Sequence, residues 1–331
     1  MKRARILGVG RYLPEKRVTN ADLERLFETS DEWIQQRTGI VERRFAEEGV
    51  YCSDLALEAA RDALKNAGMK AREIDFIIFA TLSPDHHFPG SGCYLQKKMG
   101  ISEIGCMDIR NQCTGFLYSL AVADAFVRIG MYKRILVVGA EVHSSALSFT
   151  NEGRDVAVLF GDGAGAVIVG PSEDPSRGIL SNHLHADGRY ADTLRLEIWD
   201  ISKKPYITPQ TLEEGRIWPK MKGKEVFKMA VTKIPEVVNE ALQANKLKIQ
   251  DIDIFLPHQA NLRINQFSAA RLGVPEDRFY SNIQRYGNTT AGSIPIAMSE
   301  LLEQGVIREG MCIMLVAFGS GFTWGASVIR W

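Results

Sequence analysis

Ile74-Asp75-Phe76-Ile77-Ile78-Phe79-Ala80 decides the fold, because its pattern occurs twice. The run is apolar except at Asp75, and it follows a helical repeat of Leu55, Ala59, Ala60, Ala63 and Leu64 that stops at Gly68. Helix, glycine stop and buried strand together make one α/β unit. The unit returns 178 positions later, where Ala241–Lys248 repeats the pattern of Ala63–Lys70 and Ile252-Asp253-Ile254 aligns with Ile74-Asp75-Phe76. At the same offset of 178, Arg134-Ile135-Leu136-Val137-Val138 resembles Cys312-Ile313-Met314-Leu315-Val316. Lys98-Met99-Gly100-Ile101 likewise resembles Arg271-Leu272-Gly273-Val274. Each half closes on a glycine-rich, hairpin-like stretch, Phe160–Val169 and Phe318–Ile329. Several matched pairs in one order point to an internal duplication rather than to the general likeness of any two α/β units.

Working outward, the chain divides into halves at 1–170 and 171–331, joined near Pro171. Each half is expected to supply a mixed sheet packed by helices. Apolar runs such as Ile135–Val138 suit strands covered on both faces. Arg5–Gly10 reads as a buried strand entering a turn, and either Ser30 or Asp31 can cap a helix that begins near Trp33. The stretch 184–224 fits neither repeat. With Pro205, Pro209, Pro219 and mixed polarity, it reads as a long excursion that covers a pocket.

Composition narrows the function classes. A chain of 331 residues with 45% hydrophobic content supports a substantial core. Its 40 basic and 40 acidic residues cancel, so neither a nucleic-acid partner nor an anionic membrane surface is expected. No run approaches the roughly 18 apolar residues of a spanning helix, so no membrane insertion is expected. Ile6–Val9 is too short for a signal-peptide core. The five cysteines, at 52, 93, 106, 113 and 312, show no CxxC spacing, which suits a reducing, cytoplasmic setting. His86-His87 and the His183/His185 pair lack the neighbours of a metal site, and no metal is expected.

Asn111-Gln112-Cys113-Thr114-Gly115-Phe116 follows a short strand, Cys106–Ile109, and leads into an apolar helix that runs to about Ile129. A cysteine ahead of an apolar helix reads, taken alone, as core. At a strand-to-helix junction, however, unpaired N–H groups favour the thiolate, so the Cys113 pKa is expected to fall and its sulfur to attack a thioester carbonyl. His258, in Leu256-Pro257-His258-Gln259-Ala260-Asn261, lies just past a strand on the usual ligand side of an α/β sheet. The polar turn Arg285–Gly292 takes, by the duplication, the place that Cys113 holds in the first half. Cys113, His258 and Asn288 are therefore expected to converge between the halves, although a lone histidine or asparagine reads equally as a structural hydrogen-bonding group.

These residues carry a resemblance. Cys113-Thr114-Gly115-Phe116, Phe160–Ala166, His183–Gly188, His258–Asn261, Tyr286-Gly287-Asn288-Thr289 and Gly321-Phe322-Thr323-Trp324-Gly325 resemble the motifs of beta-ketoacyl-[acyl-carrier-protein] synthase III, a condensing-enzyme family of the thiolase superfamily. The likeness spans essentially the whole chain. It implies a thiolase-like layered α/β fold built from two duplicated halves. It also implies decarboxylative condensation of an acyl-CoA primer with malonyl-acyl-carrier protein through an acyl-cysteine. Cys113 matches the nucleophile, and His258 with Asn288 match the pair that stabilises the thioester enolate. The backbone N–H groups of Cys113 and Ser320 match the oxyanion hole, with serine standing where the family often has glycine.

By the same resemblance, Trp33, Arg37, Arg154 and Asn261 would meet CoA or phosphopantetheine. Lys228, Arg263 and Arg271 would dock an acidic carrier protein, with Ala270 standing where well-known relatives have lysine. Phe160 would line the acyl pocket, and Phe88 would reach into that of a second copy, which implies a homodimer. No tightly bound cofactor is implied, and acyl-CoA enters as substrate. Two features depart from the family: polar Asn111-Gln112 and Thr114 around the nucleophile, where relatives have alanines, and extra length within Thr193–Met221. The alternatives are an acyltransferase or a long-chain or specialised-metabolite condensing enzyme of the same superfamily, or a non-catalytic thiolase-fold binding protein. A thiolase proper would carry a second cysteine in the turn Phe318-Gly319-Ser320-Gly321, which has none. A hydroxymethylglutaryl-CoA synthase would need a glutamate acid, for which no motif is found.

Overall fold

The computed structural model describes residues 3–331; Met1 and Lys2 of the basic start lie outside the described residues. Thirteen strands occur in them. In chain order they are β1 Ala4–Tyr12, β2 Arg17–Thr19, β3 Glu42–Arg44, β4 Phe76–Ala80, β5 Gly105–Ile109, β6 Ile135–Glu141 and β7 Gly163–Pro171, then β8 Gly178–Ala186, β9 Leu194–Arg195, β10 Lys220–Met221, β11 Ile254–Pro257, β12 Cys312–Gly319 and β13 Thr323–Arg330.

The first half forms a five-stranded sheet in the order β1-β7-β6-β4-β5, and the second a four-stranded sheet in the order β8-β13-β12-β11. The two orders correspond strand for strand. In each, the two inner strands of the repeat run parallel, β4 with β6 and β11 with β12, and the hairpin partner runs antiparallel, β7 and β13. The counterpart of β5 survives only as a single parallel bridge between Phe255 and Phe279.

Alternation along the strands sorts side chains into layers. Ile135 and Val137 point to a central core with Ile254, Leu256, Ile313 and Leu315, whereas Leu136 and Val138 point away to the Cys52–Ala67 helix. On the other side, Phe255, Met314 and Val316 pack on the Gly223–Ala244 helix. The helices Gly115–Arg128 and Ser293–Glu303 lie between the two sheets and bury Phe116, Leu120, Ile294 and Met298 in the central core. The layers therefore run helix, sheet, paired helices, sheet, helix. Both central helices start at the same end of the body, which brings the Cys113 turn and the Asn288 turn together.

Local signals explain the ends of these elements. Ser30, rather than Asp31, caps the Asp31–Thr38 helix by accepting the N–H of Trp33. Gly68 ends the Cys52–Ala67 helix in the left-handed conformation, φ 65°. The excursion is shorter than 184–224. Leu184–Ala186 are the end of β8, paired with β13, and Gly223 and Lys224 open the Gly223–Ala244 helix. Polar residues on both sides of Leu184 hide that strand from an alternation rule. The irregular stretch, 187–222, is pinned by the β9–β10 pair and by Glu197, which meets Arg195, Arg216 and Lys220.

Candidate active site

The Cys113 turn is built from two conformational demands. β5 ends at Ile109, the turn 112–114 follows, and the central helix starts at Gly115. Gln112, just before Cys113, holds φ at 43°, a left-handed conformation that a non-glycine residue adopts at a cost of about 1 kcal/mol. The second half repeats this feature 178 positions on: Thr290 holds φ at 48° just before Ala291. Ala291 is thus the duplicate of Cys113, and the two halves have diverged to thiol and methyl at one shared bend. Across from Cys113 lies Gly319, where a Cβ would stand 2.6 Å from the Cys113 Cβ and 3.2 Å from its sulfur. Only glycine allows that approach, and it brings the Ser320 N–H onto the sulfur.

The expected fall in the Cys113 pKa is corrected by the structure. Burial pushes the thiol up to about 12, and the Glu141 carboxylate adds to the rise, while the N–H groups of Cys113 and Ser320 pull it down without prevailing. A helix start supplies only partial charge, and removal of the sulfur from water outweighs it. Cys113 rests as a thiol. The same two N–H groups converge at the sulfur, and donors so placed would hold an oxyanion on a carbon bonded to it.

His258 follows β11, and its N–H continues the ladder to the Val316 carbonyl at 2.8 Å. Its Nδ1 lies 2.7 Å from the hydroxyl of Ser293, the first residue of a central helix. Its Nε2 is buried with no hydrogen-bond partner in the protein. Burial lowers the imidazole pKa to about 3, so the ring is neutral. Asn288 bridges the halves: its N–H donates to the Leu159 carbonyl at 2.8 Å, and its own carbonyl accepts from Gly161 at 3.1 Å. Its side-chain oxygen accepts from the Thr290 N–H at 2.9 Å, which leaves the amide NH2 for the cavity.

Cys113, His258 and Asn288 line one cavity of about 610 Å3. Phe160, Val226, Phe227, Ile234 and Phe318 give it apolar walls, and Trp33, Arg37, Lys224, Asn261 and Arg263 reach it from its polar end. At that end the guanidinium groups of Arg37 and Arg154 lie 4.9 and 4.8 Å from the Trp33 ring. Asn261 caps the Leu262–Leu272 helix and ties it to the Arg37 carbonyl at 2.9 Å. Arg154 is not part of the cavity wall; it lies over the Trp33 ring and donates to the Glu28 carbonyl at 3.1 Å. Lys228, Arg263 and Arg271 are exposed on the neighbouring helices Gly223–Ala244 and Leu262–Leu272. Phe88 lies outside the cavity of its own chain and is 81% exposed.

Sequence reasoning missed several groups. Glu141 ends β6, fully buried, with its carboxylate receiving Ser83 Oγ at 2.6 Å, Thr81 Oγ1 and two backbone N–H groups; burial lifts its pKa to about 7. His143 is likewise buried, 2.6 Å from Thr290 Oγ1 and with its ring 4.6 Å from that of Phe160; burial, with His258 beside it, holds its pKa to about 3. Both residues lie past or at a strand's C-terminal end, the rule that located His258, so a signal was present. The roof residues Leu194 and Met221 had none. His183 and His185 both turn to Glu240, at 3.0 and 2.7 Å, and among the described residues no group of three metal-ligating side chains occurs.

Comparison with known proteins is consistent along the whole chain. The family described as 3-oxoacyl-[acyl-carrier-protein (ACP)] synthase III matches residues 107–188, and its C-terminal counterpart matches residues 242–331. The beta-ketoacyl-[acyl-carrier-protein] synthase III of Alkalilimnicola ehrlichii is 45% identical, with 100% of both chains covered. The beta-ketoacyl-[acyl carrier protein] synthase III of Thermus thermophilus superposes with a TM-score of 0.91 at 41% identity, covering 99% of each chain. The priming beta-ketosynthase of the R1128 polyketide pathway superposes with a TM-score of 0.90 at 32% identity, covering 99% of this chain and 96% of that one.

Proposed function

The chain belongs to the 3-oxoacyl-[acyl-carrier-protein] synthase III family, and on that premise we propose how this condensing enzyme uses its own residues. The Cys113 sulfur attacks the carbonyl of an acyl-CoA. The tetrahedral oxyanion sits between the N–H groups of Cys113 and Ser320, and collapse expels CoA, whose sulfur receives the thiol proton. Transfer between two thiols needs no net charge, which suits a nucleophile that rests protonated in a dry cavity.

Malonyl-carrier protein then enters. Its carboxylate carbon–carbon bond breaks, CO2 leaves, and the electron pair passes to the thioester as an enolate. Nε2–H of His258 and the NH2 of Asn288 face that oxygen. The enolate carbon attacks the acyl-Cys113 carbonyl, and collapse releases a β-ketoacyl-carrier protein and the Cys113 thiolate, which takes a proton from water to return to the resting thiol. The supporting observation is the buried, unpartnered Nε2 of His258 in the same cavity as the Asn288 amide and the Cys113 thiol. A donor without a partner inside protein is costly unless a reacting group takes it.

The adenine of CoA stacks on Trp33, with Arg37 and Arg154 supplying phosphate partners, and Asn261 lies along the pantetheine arm. Exposed Lys228, Arg263 and Arg271 meet the acidic carrier protein. Two copies pair so that each Phe88 reaches the other's chamber, which gives the exposed ring a place to be buried. The setting is cytoplasmic, in keeping with five free thiols. The test is to supply malonyl-carrier protein with a panel of acyl-CoAs and follow CoA, CO2 and product. One CoA and one CO2 per β-ketoacyl product supports the reading; CO2 release without a carbon–carbon product overturns it. A second reading, a primer longer than acetyl, is favoured by the apolar walls that Phe160, Val226, Phe227 and Ile234 give the chamber, and is separated by the same panel.

A further inference from the structure

We infer that the Ser320 hydroxyl is a positioning group that fixes the roof of the acyl chamber and so sets which acyl groups fit. The inference rests on the functional reading above. The Ser320 hydroxyl donates to the carbonyl of Leu194. Leu194 pairs with Met221 in the β9–β10 ladder, and both line the catalytic cavity. This rung of the chamber wall is thereby tied to the residue whose N–H faces the nucleophile. Below, the tie continues. Thr323 Oγ1 donates to the Ser320 carbonyl at 3.1 Å, and Thr114 Oγ1 stands 2.8 Å from Thr323 Oγ1. Each of the two hydroxyls also faces a backbone acceptor, the Ser320 carbonyl for Thr323 and the Asn111 carbonyl, at 2.9 Å, for Thr114, so the pair links the nucleophile turn to the Ser320 turn whichever of them donates to the other.

Thr114 beside the nucleophile, Ser320 in the oxyanion turn and the excursion that carries Leu194 and Met221 therefore meet in one hydrogen-bonded line. A glycine at 320 has no group to hold a roof. With serine, the roof has a fixed height above Cys113, and an acyl chain too long for it must displace packed side chains, which a close-packed wall resists. Ser320 acts here through Leu194 and does not touch the reacting carbon with its side chain.

The test compares kcat/KM for acetyl-, butyryl- and octanoyl-CoA in the wild-type enzyme, Ser320→Ala and Ser320→Thr. The ratio of octanoyl to acetyl should rise about tenfold in Ser320→Ala, whatever the absolute rates, and return toward wild type in Ser320→Thr, which keeps the hydroxyl. Trypsin cleavage after exposed Lys203 in the excursion should be faster in Ser320→Ala. A variant that is acylated with an unchanged length ratio overturns the inference alone. Failure of every acyl-CoA to load the wild-type enzyme overturns the functional reading and the inference with it.

Discussion

Ser293 Oγ stands 2.7 Å from Nδ1 of His258 and also accepts the N–H of Gln259 at 3.3 Å. The serine hydroxyl meets no acceptor but Nδ1, so its single hydrogen points there. A neutral ring that accepts at Nδ1 carries its proton on Nε2, the atom that faces the cavity. Removal of that hydroxyl frees the ring to adopt the other tautomer. Ser293→Ala should slow the condensation step about tenfold, equivalent to about 1.4 kcal/mol, with acyl loading little changed. Rapid-quench measurement of the two steps checks this; an equal loss in both steps would contradict it.

In the proposed mechanism, His258→Ala and Asn288→Ala each remove one donor from the enolate oxygen. Each variant should lose about 100- to 1,000-fold in malonyl decarboxylation, and far less in the transfer of acyl groups from CoA to Cys113. Near-wild-type CO2 release in both variants would refute the assignment.

The resting state of Cys113 is open to alkylation kinetics. A thiol pushed up to about 12 is nearly all protonated at neutral pH. Its modification by iodoacetamide, resolved by peptide mapping from that of exposed Cys93, should rise about tenfold per pH unit through pH 9 without a plateau. A plateau below pH 8 would show a preformed thiolate.

Stability should respond to pH with opposing signs. His143 and His258 are held to about 3 against 6.5 for a free imidazole. The unfolded chain therefore takes up two protons that the native state refuses, and their contribution, full above pH 6.5, is lost as pH falls. Glu141 is raised from 4.5 to about 7, so its contribution is full below pH 4.5 and lost as pH rises through 7. Between pH 6.5 and 4.5 it partly offsets the histidines. Glu141→Gln should steepen acid destabilisation over that window by about one proton in the pH dependence of urea unfolding. An unchanged slope would contradict the assigned burial of charge.

Much of this arrangement is legible in the chain. The offset of 178 residues that aligns Ile74 with Ile252 also pairs Gln112 with Thr290 and Cys113 with Ala291, so the duplication locates the Cys113 turn and its counterpart at once. His258 is found because a strand pattern ends just before it. Glu141 and His143 pass unnoticed because one acid and one imidazole after an apolar strand look like surface residues until Thr81–Ser83 close on the first and Thr290 on the second. The Cys113 pKa is misjudged because helix-end charge is visible in sequence, whereas loss of water is a property of the assembled cavity. Leu194 and Met221 lie far apart in a stretch without periodicity, and only the folded excursion shows that they form one rung.

The central claim is that one sulfur carries the acyl group through both stages. Intact mass and peptide mapping, taken after an acyl-CoA is added and again after malonyl-carrier protein follows, test it most directly. The account predicts one acyl adduct, located on Cys113, absent from Cys113→Ala, and discharged with CO2 release when the malonyl substrate arrives. An adduct that forms in Cys113→Ala, or one on Cys113 that the malonyl substrate leaves in place, would contradict it.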